Sequence, residues 1–265
     1  MYSQALTGAT LQIQSCEDPG WWIHPDIPLT DKTAIFLPMR LDKYASEEEN
    51  FTWYKVSTTH QAGHIEFGTF NFSFEKLAGL LSKQQCRLPS ANETSLTDIA
   101  RFLSLFADKR LATDIFAAVE DIRVDYLLRQ EYAGISDSYL QIQQESLLRR
   151  PPLPSLSTRE AFLESLLWIS LGSEPPLVPP ILRDLLPSAT QIIHRMQSSE
   201  ATVEDSAEAT LRLYDVVSTI PGMKTLVKKE ITTDSDSAEF TINDISVYDG
   251  QHSSCHIVCL NVGIK

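Results

Sequence analysis

His60 and His64 stand four residues apart in His60-Gln61-Ala62-Gly63-His64. On a helix that spacing puts two imidazoles on one face, one turn apart, which is a common way of offering two nitrogen ligands to one metal ion. The string matches the H-E-x-x-H helix of zinc peptidases except at its second position, where Gln61 stands in place of glutamate. An amide cannot take a proton from metal-bound water near pH 7, so the ligand pair is present and the general base is missing. In a hydrolytic reading Glu66 or Asp121 would have to replace it, although Glu66 lies two positions past His64 and points from a different helix face than Gln61.

A third ligand must come from elsewhere in the chain. Val119-Glu120-Asp121-Ile122-Arg123-Val124-Asp125 lies within a stretch whose Ile115, Val119, Ile122 and Tyr126 recur at helical spacing. Glu120 falls at the edge of that apolar stripe, where a carboxylate needs either Arg123 or a metal as partner. Glu120 is therefore the expected third ligand of a zinc ion. Asp121 and Asp125 share a face and are expected to orient the histidines through hydrogen bonds, with Arg123 beside Glu120. The competing expectation is an ordinary Glu120–Arg123 ion pair at i, i+3 and no metal, in a purely structural helical chain.

The elements that must position these side chains are mostly helical. Ser46 followed by three glutamates predicts a helix start, and the helix runs through Phe51, Tyr54, Thr58, Ala62 and Ile65 to Gly68. Thr97 caps a second predicted helix to Leu105. A third spans about residues 111–130 and ends at Ala133-Gly134. Further helices are expected at residues 159–171, 181–186, 189–197 and 203–218. Residues 21–39 read as irregular, leading into a short strand at 33–37, and residues 239–247 and 255–262 alternate like half-buried strands. The proline-rich stretch Arg149-Arg150-Pro151-Pro152-Leu153-Pro154 suggests a joint. It would divide a helical domain at 1–150 from a helical lobe at 151–221, with an acidic turn and short strands at 222–265.

Composition narrows the partners. With 265 residues, 43% of them hydrophobic, the chain can bury a genuine core. Thirty-five acidic against 22 basic residues give a formal charge of -13, which disfavours nucleic acid and anionic membrane surfaces. The first residues lack the basic and apolar regions of a secretory leader, and no apolar run is long enough to span a bilayer, so a cytoplasmic protein is expected. Cys16, Cys86, Cys255 and Cys259 are too scattered for a disulfide framework. His252, Cys255, His256 and Cys259 lack the second pair of a zinc finger. Asp234-Ser235-Asp236-Ser237 reads as a solvated acidic turn. No phosphate-binding glycine loop or nucleophile elbow occurs, so no nucleotide cofactor is expected.

Several segments together resemble a known family. Tyr54-Lys55-Val56, the block from Thr59 to Phe70, Leu111-Ala112 with Ile115-Phe116, Val119 to Asp125, Glu131-Tyr132-Ala133-Gly134-Ile135, Ala201 to Ala207 and Leu213-Tyr214-Asp215 are similar to the NorD and CbbO proteins, which activate nitric oxide reductase and Rubisco. The resemblance covers roughly residues 30 to 220, and the block from Thr59 to Phe70 is its most specific part. It implies a chaperone-like accessory protein that works with a MoxR-type AAA+ ATPase to activate or mature a client metalloenzyme, built on a degenerate metallopeptidase (zincin-like) core. Members usually carry a C-terminal von Willebrand factor A domain with a D-x-S-x-S metal motif. This sequence has no such motif, so it is expected either to be the N-terminal part of a longer or split protein of this kind or to have lost that domain.

The combined expectation is a mainly α protein: a zincin-like helical core with a few short strands, then a second helical lobe. It is expected to bind a partner and not to catalyse.

Overall fold

The computed structural model describes residues 11–15, 29–30, 33–83, 97–218 and 220. Among these, the chain is mainly helical with a small sheet, as the sequence predicts. Three strands, β1 (Gln12–Ser15), β2 (Leu29–Thr30) and β3 (Ala34–Leu37), precede nine helices. The helices are α1 (Glu47–Glu66), α2 (Phe74–Lys83), α3 (Asp98–Leu103), α4 (Lys109–Glu131), α5 (Ala133–Leu148), α6 (Thr158–Ser170), α7 (Pro180–Arg183), α8 (Leu186–Met196) and α9 (Val203–Ser218).

The sheet has the order β1-β3-β2, with β1 parallel and β2 antiparallel to the central β3. All four residues of β3 are buried. Ile35 and Leu37 pack with Leu11 against Ala62, so the sheet covers one side of α1.

Local chemistry explains where α1 begins and ends. The Ser46 side chain accepts from the Glu49 N–H while the Glu49 carboxylate accepts from the Ser46 N–H, which satisfies two end donors reciprocally. Gly68, at φ +73°, takes the left-handed turn that stops the helix. For α4, the Asp108 carboxylate accepts from the Leu111 N–H at 3.0 Å.

One run of each of two helices is enclosed on every side. Residues 56–64 of α1 and 118–125 of α4 are all buried, polar and apolar alike. An amphipathic helix shows one stripe to the core, and neither of these runs has such a stripe. They are held between the sheet, α5 and a large apolar cluster. In that cluster Ile115, Val119 and Ile122 of α4 meet Phe162 and Leu166 of α6, Ile193 of α8 and Leu213 of α9. Packing thus runs continuously across the proline-rich joint at 149–154, and Arg150 itself pairs with Glu164 of α6.

Four helices differ from expectation. α5 begins directly after α4, sharing Tyr132 as its boundary residue, where the sequence reading places only a stop at Ala133-Gly134. Gly134 sits in the first turn, where a glycine costs least, and Ile135, Tyr139 and Ile142 give the helix a buried face. α2 was likewise unexpected. Its Phe74 N–H is satisfied by Asp98 of α3 at 3.0 Å, a cap 24 residues away that local reading does not find. α8 also starts three residues earlier than predicted, at Leu186, and the helix expected at 181–186 is the single turn of α7.

The expected acidic turn and strands at 222–265, Asp234-Ser235-Asp236-Ser237, the His252, Cys255, His256 and Cys259 group, Cys16, Cys86 and residues 21–28 lie outside the described residues. No helix among the described residues is long and apolar enough to cross a membrane.

Candidate metal centre

Gly63 decides how closely α1 and α4 approach. A Cβ at this position would stand 2.9 Å from both Leu128 Cδ1 and Val124 Cγ1, too near for either. With no side chain there, the helix face carrying His60 and His64 seats directly against the face of α4 carrying Asp121 and Asp125. His60 and His64 are wholly buried and Asp121 is 3% exposed.

Three donor atoms converge in this contact. His60 Nε2 and His64 Nε2 are 3.2 Å apart, and Asp121 Oδ1 lies 3.5 Å from His64 Nε2 and 3.9 Å from His60 Nε2. A point equidistant from all three lies about 2.1 Å from each, which matches zinc–nitrogen and zinc–carboxylate bond lengths. His60, His64 and Asp121 therefore form a group that can hold one metal ion.

Each donor is backed by further polar groups. His60 Nδ1 lies 2.8 Å from Asp125 Oδ1 and 2.7 Å from the Tyr139 hydroxyl. The same Asp125 carboxylate accepts from the Tyr139 O–H and from Gln143 Nε2, each at 2.5 Å. A carboxylate that gathers donors in this way takes the Nδ1 proton of His60 too, leaving the Nε2 lone pair for the centre. Burial, then the nearby Asp125, raises the Tyr139 hydroxyl well above its ordinary value and keeps it a donor. His64 Nδ1 lies 2.9 Å from Thr69 Oγ1, whose hydroxyl donates to Glu120 Oε1 at 2.5 Å.

Asp121 carries the electrostatic strain of the centre. Burial first, and then the neighbouring Asp125 and Glu120, push its carboxyl well above the usual carboxylate range. A divalent cation at the convergence point would offset that cost.

The structure places Asp121, and not the expected Glu120, beside the two histidines. Glu120 does not join the three converging atoms: its Oε2 accepts from Arg123 Nε at 2.8 Å and its Oε1 from Arg123 Nη2 and Thr69. The reason is helical register. Asp121 and Asp125, four apart, line up toward the histidines, while Glu120 and Arg123, three apart, face the turn after α1. There Arg123 also donates to the carbonyls of Phe67 at 3.0 Å and Ala201 at 3.3 Å. The ordinary i, i+3 ion pair and the histidine cluster thus coexist as two layers.

Neither substitute base fares equally. Glu66 is exposed and accepts from the Tyr132 hydroxyl, so it stands apart from the buried rings. Asp121 is with the rings, but as a candidate ligand. Gln61 is wholly buried.

Thr69, Tyr139 and Gln143 escaped sequence reading. Tyr139 and Gln143 are an i, i+4 pair on α5, visible once that helix is recognised. Thr69 is brought back toward His64 by the left-handed turn at Gly68, which no periodicity reveals.

Comparisons of the chain with protein-family models, curated proteins and solved structures find no match.

Proposed function

We propose that His60, His64 and Asp121 bind one zinc ion in a buried centre, in a protein that binds partners and does not hydrolyse them. The convergence of two imidazole nitrogens and one carboxylate oxygen on a point about 2.1 Å from each carries this reading. Zinc suits a mixed nitrogen and oxygen donor set of this size better than calcium or magnesium, which prefer six or more oxygens. The burial of all three donors argues against hydrolysis, because the fourth position that three protein ligands leave on zinc is then out of a substrate's reach. Gln61 in the general-base position argues the same way.

The resemblance of residues 54–70, 111–135 and 201–215 to NorD and CbbO proteins supports a wider role. In it the zinc-stabilised helical body is a cytoplasmic accessory to a MoxR-type AAA+ ATPase acting on a client metalloenzyme. Elemental analysis of the purified full chain tests the centre: close to one zinc per chain is expected in the wild type and a small fraction of that in His64→Ala. A wild-type protein free of metal after purification and zinc titration would overturn it. ATP-dependent co-purification with an AAA+ ATPase tests the wider role, and peptidase activity of the native chain would overturn it.

A further inference from the structure

Two neutral imidazoles 3.2 Å apart ordinarily satisfy one another, one Nε2–H donating to the other Nε2 lone pair. Here that arrangement needs one ring to carry its proton on Nε2. Asp125 claims the Nδ1 proton of His60, so His60 offers a lone pair at Nε2. The tautomer of His64 then decides whether the pair closes on itself or leaves two lone pairs facing the same point.

A hydroxyl has one proton to give. Thr69 Oγ1 donates it to Glu120 Oε1 at 2.5 Å, and Glu120 is itself fixed in place by Arg123. Toward His64 Nδ1, 2.9 Å away, Thr69 Oγ1 can only accept, so Nδ1 must carry the imidazole proton. We infer that Thr69 is a positioning residue: it fixes His64 as the Nδ1–H tautomer and so converts a self-satisfied histidine pair into a receptor for a cation. This rests on the zinc reading above for its consequence, but the tautomer itself is a property of the metal-free protein.

Thr69 is buried, 1% exposed, and sits on the turn directly after α1. Water therefore does not substitute readily for its hydroxyl. The relay Arg123, Glu120, Thr69, His64 runs from a buried cation to the centre, with each proton assigned by the acceptor beyond it.

Long-range ¹H–¹⁵N spectra of the metal-free, full-length protein test the assignment. The expected pattern is Nδ1–H for both His60 and His64; an Nε2–H form of His64 in the wild type would overturn the proposal, with no variant needed. Thr69→Val keeps the shape and removes the acceptor. It is expected to shift His64 toward Nε2–H and to weaken zinc binding by about 10- to 100-fold, with Co²⁺ ligand-field bands weakened in parallel, while Thr69→Ser retains both. Equal zinc affinity of wild type and Thr69→Val, both folded by circular dichroism, would also overturn it. If the wild type shows the expected tautomers and takes up no zinc, the zinc reading fails and the Thr69 assignment stands.

Discussion

His60 Nε2 faces His64 Nε2 across 3.2 Å in the interior of the protein, with Asp121 Oδ1 completing the triangle. With both rings protonated at Nδ1, as proposed above, two lone pairs face each other there, which is repulsive unless a positive species lies between them. Its consequences for stability and binding can be measured.

Asp121 and Glu120 are adjacent in sequence, and their substitutions should fail in different ways. Asp121→Asn is expected to abolish stoichiometric zinc in elemental analysis and leave a folded chain. Glu120→Gln leaves the buried Arg123 guanidinium without its charge partner and is expected to cost about 3–5 kcal/mol in urea unfolding. If Glu120→Gln is as stable as wild type and Asp121→Asn keeps its zinc, the assignment of the two carboxylates is reversed.

Metal removal should lower thermal stability. An ion bound only by the folded chain contributes about 4 kcal/mol when its free concentration is 1,000 times the dissociation constant. A chelator is therefore expected to lower the Tm of the wild type and to leave His64→Ala unchanged. Identical chelator shifts in the two proteins would place the metal elsewhere.

Gly63→Ala inserts a methyl group where 2.9 Å separates the ideal Cβ from Leu128 and Val124. Overpacking of this kind costs about 1–3 kcal/mol, and the α1–α4 separation it forces should weaken zinc binding as well. Adding Leu128→Ala should recover part of the zinc affinity. A Gly63→Ala protein with wild-type stability and zinc content would show that the two helices can separate freely.

Gln61→Glu restores the peptidase string but adds a carboxylate at a fully buried position. The expected result is lower stability and no peptidase activity, since the centre is closed to substrate. Measurable hydrolysis by this variant would mean that the centre opens in solution.

Asp114 gives a pH-dependent test away from the centre. Burial is the main cause that pushes its carboxyl up to about 6 from 3.8, and Asp108 and Glu160 add to the shift against the opposing Arg110. Because the folded value lies above the unfolded one, the folded state holds the proton more tightly. The stability this contributes is present below pH 4 and is lost as pH rises through about 6. Asp114→Asn should therefore be more stable than wild type at pH 7.5, on the order of 1 kcal/mol for a half-buried group, with the difference vanishing near pH 4. A constant difference across that range would assign the effect to packing instead.

The helical character of the chain, the caps at Ser46 and Thr97, and the pairing of His60 with His64 on one helix face were all legible in the sequence. They depend on neighbours within about four residues, which is the range over which backbone capping and helix periodicity act. α2 and α5 were not legible. One is capped by Asp98 from across the fold, and the other follows α4 without a linker.

The third donor was decided only in three dimensions. Sequence placed Glu120, Asp121, Arg123 and Asp125 on one helix, but one residue of register, about 100° of rotation, separates the face toward the histidines from the face toward Phe67 and Thr69. The sequence by itself determined which side chains could form a centre. The depth of the α1–α4 contact at Gly63, the return of the chain at Gly68 and the arrival of Tyr139 and Gln143 on α5 decided which of them meet, because hydrogen bonds and close packing between distant segments exist only once the fold has brought them together.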